Sequence, residues 1–252
     1  MKTFTSILVA AVACQLATAS LIPGHSEKNP LEHVDQFHSG FQPVSPTSSD
    51  SSLLTTCNGV LNTTTGGIAY KAFEPIAANE RCVWTIRGGN AGGFSLNVLN
   101  IGSLGSQDTQ VIATCIRHRA TATHVLLNQT GPVTGFSACN VLVITLASGS
   151  DVNDASGFVL EYAVLTAGSI SSRSQDYILR GTDAAIIKFP NSNDRYDNNE
   201  LSTFAFLPIL QRRTNLLYLR DTLEGSTCYD SVAVIRFNAS STLPTKYQNE
   251  GR

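Results

Sequence analysis

Charge is what this sequence has least of. Asp, Glu, Lys and Arg make up 14% of its 252 residues, against roughly 25% in an ordinary soluble domain. The 17 basic residues face 19 acidic ones, for a formal net charge of −2. That balance excludes the electrostatic footprint of a nucleic-acid binder and of a polybasic membrane-surface protein. Beyond the N-terminus no stretch reaches the roughly 18 apolar residues of a spanning helix, and the polar C-terminus excludes a GPI tail. No long stretch carries a 3.6-residue period. Catalytic signatures are missing as well: neither G-x-S-x-G nor H-E-x-x-H occurs. In the folded region only His118 and His124 could serve as a base. His118 lies in Ile116-Arg-His-Arg, where neighbouring positive charge lowers a histidine pKa, and His124 lies beside an apolar strand. Neither is framed as part of a nucleophile–base–acid set. Gly88, Gly89, Gly92 and Gly93 are turn residues, because no strand-to-helix context makes them a phosphate loop. The expectation is a protein that is not an enzyme.

What is present points outward from the cell. Residues 1–19 read as a secretory signal peptide. Lys2 supplies the positive start, Ile7 to Cys14 a short apolar run, and Ala17-Thr18-Ala19 the cleavage site. Three sequons fit secretion and predict glycosylation at Asn62, Asn128 and Asn238. Residues 20–53 have no period and are rich in Pro and Ser, as in a disordered leader. His25, His33 and His38 lie in it with no Cys or framed acid to complete a metal site. After the signal five cysteines remain: Cys57, Cys82, Cys115, Cys139 and Cys228. Oxidising conditions favour disulfides, but four cysteines allow three connectivities, and spacing alone does not choose among them.

From Cys57 the chain alternates. Cys82, Trp84 and Ile86 share one face of a strand, with Thr85 and Arg87 on the other. Phe94-Ser-Leu96-Asn-Val98 and Phe158-Val-Leu160-Glu-Tyr162 alternate likewise, whereas Val141 to Leu146 is apolar on both faces and reads as a central strand. Gly- and Asn-rich turns separate these runs. Short strands at regular spacing predict an all-β, antiparallel β-sandwich over residues 54–166. Residues 167–182 read as a linker. Beyond it Asn79-Glu-Arg-Cys-Val-Trp-Thr-Ile86 matches Asn199-Glu-Leu-Ser-Thr-Phe-Ala-Phe206, and Leu96, Val98 and Leu99 fall on Leu216, Tyr218 and Leu219 at the same offset. The match predicts two tandem copies, the second incomplete, over 183–252.

Cys57, the strand Cys82-Val-Trp84-Thr-Ile86 and the late strand Gly157-Phe158-Val-Leu-Glu-Tyr162 together resemble a CUB domain, a secreted β-sandwich module. The likeness covers residues 55–165 and, more faintly, 183–240, where Cys228-Tyr229-Asp230-Ser-Val is similar to another motif of the family. It implies a jelly-roll sandwich with bridges Cys57–Cys82 and Cys115–Cys139. Cys115 stands later than the family's third cysteine, which precedes a Tyr-Asp pair where this chain has Gln107-Asp108. Many CUB domains bind calcium through converging acids. The matching positions here are Asn100, Asp108 and Asp151, one acid being replaced by an amide, and in the second copy Asp221 or Glu224 with Asp230. The resemblance implies recognition of an extracellular protein or glycan through loops 100–110 and 147–156, with Arg117, His118 and Arg119 as a second patch. Two alternatives stand beside it. One is a secreted β-rich hydrolase with an unrecognised site; the other, suggested by the lone Cys228, is a fragment of a longer multi-CUB protein.

Overall fold

The computed structural model describes residues 5–13, 43–44, 53–88, 91–102, 109–117, 122–150, 152, 155–180, 197, 199–207, 231–238 and 245–250. Among these every regular element is a strand. In chain order they are β1 (Thr5–Ala13), β2 (Pro43–Val44), β3 (Leu53–Leu54), β4 (Gly59–Leu61), β5 (Thr65–Pro75) and β6 (Arg81–Ile86). There follow β7 (Ala91–Ile101), β8 (Thr109–Ile116), β9 (Ala122–Leu126), β10 (Gly131–Val133), β11 (Val141–Ser148) and β12 (Ser156–Ala167). The last four are β13 (Asp176–Arg180), β14 (Glu200–Leu207), β15 (Ser231–Asn238) and β16 (Thr245–Glu250).

Two five-stranded sheets form the expected sandwich. The front sheet has the order β10-β7-β12-β5-β3 and the middle sheet β4-β6-β11-β8-β9. Pairing is antiparallel except at the short strands β3 and β4, which run parallel to β5 and β6. The alternation read from sequence sets which side chains meet between the two sheets. Cys82, Trp84 and Ile86 from the middle sheet enter one cluster with Phe94, Leu96 and Val98 of β7 and Phe158, Leu160 and Tyr162 of β12. Trp84 is fully buried at its centre. It stands edge-on to Phe158 at 5.3 Å and tilts against Tyr70 at 5.3 Å, while its indole N–H donates to the Thr56 carbonyl at 2.8 Å. Each such side chain contributes about 1.5–3 kcal/mol by leaving water. The Cys57–Cys82 bridge is present and ties the segment ahead of β4 to β6.

The region after Ala167 differs from expectation. Residues 167–182, read as a linker, contain the buried Ile170 and Asp176 and the whole of β13. Together β16-β15-β1-β14-β13-β2 make a six-stranded sheet, and this back sheet lies against the outer face of the middle one. Val60, Val83, Val141 and Val143 meet Ile170, Ile178, Leu201, Ala205, Leu207 and Ile235 in a second core. The result is three layers. The middle sheet is covered on both sides, which explains why β6, β8 and β11 are buried at every residue. The front sheet keeps a wet outer face, where Asn97 donates to Glu161 at 2.9 Å. A complete second sandwich is not formed by the described residues. The segment read as a signal peptide supplies β1, paired on both edges, and the end of the segment read as a leader supplies β2 and β3.

Candidate functional site

One end of the sandwich gathers three loops. The turn after β5 is bonded to the loop before β12 by Ile76 N–H to Ala155 O at 3.0 Å, and to the loop after β11 by Asn79 N–H to Gly149 O at 2.7 Å. The exit of β7 joins through Gly102 N–H to Gly157 O at 2.9 Å. The described ends of loops 100–110 and 147–156, the loops expected to carry recognition, therefore lie together. Residues 71–80 run beside the second of them.

The local sequence projects those residues outward. β12 carries a bulge between Ser156 and Phe158 against β5. At Gly157 a Cβ would lie 1.8 Å from the Tyr70 carbonyl oxygen, so only glycine allows the two backbones to approach. Beyond this point Lys71 adopts a left-handed φ of 43°, and the strand leaves the core. Phe73 is 86% exposed, and Glu74 and Pro75 are exposed beside it.

Glu80 fastens the loop from beneath. Its carboxylate accepts from Lys71 Nζ at 2.8 Å, from the Ala77 N–H at 2.8 Å and from the Tyr70 hydroxyl. Burial raises its pKa, but the donors on Lys71, Tyr70 and Ala77 and the Lys71 charge outweigh burial and hold the carboxyl below its ordinary value. Ser148 completes the turn: its hydroxyl accepts from Glu80 N–H and donates to Ala77 O, both at 2.7 Å. Burial lowers the Arg81 guanidinium to about 10, which leaves it charged at neutral pH. It donates to the carbonyls of Glu80 and Ser148. Lys71, Tyr70, Glu80 and Ser148 thus commit their polar groups to one another and to the loop backbone. That produces a rigid platform bearing an exposed aromatic ring, suited to binding.

Few of the metal-binding and recognition residues expected from sequence lie among the described ones. Asn100 lies half-buried on β7, opposite Val159. Asp108, Asp151, Asp221, Glu224 and Asp230 fall outside the described residues, as do His118, Arg119 and Cys228. Among the described residues no group of three metal-ligating side chains occurs. Arg117 serves its own neighbourhood, donating to Ala138 O at 3.0 Å and Gly135 O at 3.3 Å. His124 Nδ1 pairs with Thr114 Oγ1 at 3.0 Å across strands. Asn62 and Asn128 are exposed, as glycan acceptors must be; the side chain of Asn238 is outside the described set. Asn128 helps to line a groove of about 230 Å³ over residues 125–134.

Cys115 and Cys139, the pair of the expected second bridge, lie beside each other and are not bonded in this structure. Both are buried free thiols. Cys139 Sγ donates to the Val141 carbonyl at 3.2 Å. The Cys139 hydrogen bond, helped by the nearby Arg117 charge, lowers the Cys115 thiol against the opposing effect of burial. Burial above all raises Cys139.

Sequence reading missed Lys71, Phe73 and Glu80. A signal existed at Phe73, where the inward series Ile68, Tyr70 is broken by an aromatic out of phase and a proline two residues on. No protein-family model and no curated protein matches this chain.

Proposed function

We propose that the chain is a secreted, glycosylated binding protein of CUB type that recognises an extracellular protein or glycan through the loop end at residues 71–80, 100–110 and 147–156, without catalysis. The reading is supported chiefly by Phe73, 86% exposed on a loop braced by Glu80 and Ser148. A large aromatic ring held out on a braced loop offers a partner apolar area to cover at little ordering cost. Export supplies the partner's compartment, and the apolar run at Ile7–Cys14 with its Ala17-Thr18-Ala19 site supplies the route.

The test uses the protein collected from culture medium. It is applied to arrays of sialylated, sulfated and neutral glycans and of extracellular-matrix proteins, beside its Phe73→Ser variant. Binding that falls at least tenfold in the variant, with an unchanged unfolding curve, supports the reading. Binding indifferent to Phe73, or reproducible labelling by a broad serine- or cysteine-hydrolase probe, overturns it.

A further inference from the structure

Apart from its edge strand β2, the back sheet repeats the strand directions of the middle sheet. In the middle sheet β4 runs parallel to β6, and β6-β11-β8-β9 then run antiparallel in turn. In the back sheet β13 runs parallel to β14, and β14-β1-β15-β16 then run antiparallel in turn. Four positions correspond in chain order: β4 with β13, β6 with β14, β8 with β15 and β9 with β16. The third position does not. In the middle sheet it is held by β11, which follows β9; in the back sheet it is held by β1, from the far end of the chain.

The two occupants share a chemistry. β11 is Val-Leu-Val-Ile-Thr-Leu-Ala-Ser and β1 is Thr-Ser-Ile-Leu-Val-Ala-Ala-Val-Ala, both free of charge. β1 is paired along its length on both edges, Val9 opposite Phe204 and Val234 and Ala11 opposite Ser202 and Val232. Its neighbours contribute Leu201, Ala205, Leu207 and Ile235 to the core against the middle sheet. Under the export reading, on which this inference rests, β1 is cut away with residues 1–19. β14 and β15 are then left with facing open edges, about two strand spacings (roughly 9–10 Å) apart. Unpaired N–H and C=O groups along two interior edges are a strong template for another strand.

We propose that the interval between β14 and β15 is a strand-acceptor site, and that in the exported protein it takes an extended, uncharged aliphatic segment from a partner protein, antiparallel to both edges. The comparable charge-free strands β7, β8 and β11 are already interior strands of the front and middle sheets, so a second copy has none of them to give. The ladder supplies affinity whatever the partner's sequence, and the core-facing positions select small aliphatic side chains.

The test starts with N-terminal sequencing of the protein from culture medium, then titrates it with a peptide of residues 5–13 carrying a lysine tail, and with the same peptide bearing Val9→Asp. One-to-one binding with a raised Tm, weakened at least tenfold by V9D, supports the site; so does rescue by the first peptide of exported protein that otherwise aggregates. A chain that begins at Ser20 and neither binds nor is rescued overturns the acceptor site while leaving export intact. Recovery of Met1 overturns export, and with it any occupant supplied from outside.

Discussion

Glu80 receives an ammonium, a phenol and a backbone N–H at one carboxylate, so its ionised form is worth more to the folded loop than to the unfolded chain. Its pKa is lowered on folding. Stability from such a group is present above the ordinary glutamate range and is lost as pH falls through that range to the folded value. Glu80→Gln keeps the shape and removes the charge. The wild type is therefore expected to exceed the variant in unfolding midpoint at pH 7, and the difference to shrink progressively as pH falls below about 4.5, the ordinary value. A constant difference from pH 7 to pH 3 would show that the ion is not what braces the loop. The residue was visible in sequence only as half of a repeated Asn-Glu pair. The structure gives that pair a meaning. Asn79 and Asn199 both adopt left-handed backbone, at φ 58° and 60°. Glu80 and Glu200 both accept the N–H three residues earlier, from Ala77 at 2.8 Å and Asp197 at 2.9 Å. Each pair launches a strand, β6 or β14. The match was legible because it encodes a turn and the strand it feeds; its chemistry was not, because a carboxylate's partners are brought to it by the fold.

At the scale of elements, period-2 patterning carried most of the information. Cys82, Trp84 and Ile86 do share a face, and β11, apolar on both faces, is the central strand of its sheet. What patterning does not hold is the break in a strand. The bulge in β12 depends on Gly157, where the partner backbone comes within 1.8 Å of any Cβ. Gly157→Ala must push β5 away from β12 or flatten the bulge. Overpacking of this kind costs about 1–3 kcal/mol. Urea unfolding is expected to show an unfolding free energy lowered by that amount, together with greater hydrogen exchange at Tyr70 to Ala72. An alanine variant as stable as the wild type would mean that the two strands separate here without loss. The loop end inherits its projection from this bulge, so the site was no more legible than the bulge was.

The third layer was beyond reach of the sequence for a simple reason. Val83 and Thr85 of β6, and Arg87 just past its end, fall on the face opposite Trp84, and polar residues mixed with an apolar one are also the signature of a strand with one face in water. Nothing local says what covers that face. The structure covers it with the back sheet and seals it with one ion pair. Arg87 Nε meets Asp176 Oδ2 at 2.7 Å, and Arg87 Nη2 meets Asp176 Oδ1 at 2.5 Å and the Leu201 carbonyl at 2.9 Å. Thr203 Oγ1 donates to Asp176 at 2.6 Å. Both partners are more than nine-tenths buried. Two charges taken out of water repay little as a pair, but removing one strands the other, at a cost of about 3–5 kcal/mol. Asp176→Ala is expected to lose that much in denaturant unfolding. The loss should appear first in the back sheet, as faster hydrogen exchange at β13 and β14, while β11 and the sandwich beneath it keep their protection. Replacing both, Arg87→Met with Asp176→Leu, should recover most of the loss by restoring an apolar seam between Val83 and Leu201. If the single variant unfolds all three layers together, the back sheet is not an added layer but part of one cooperative unit, and the strand-acceptor site would then have to be filled before the sandwich itself could stand.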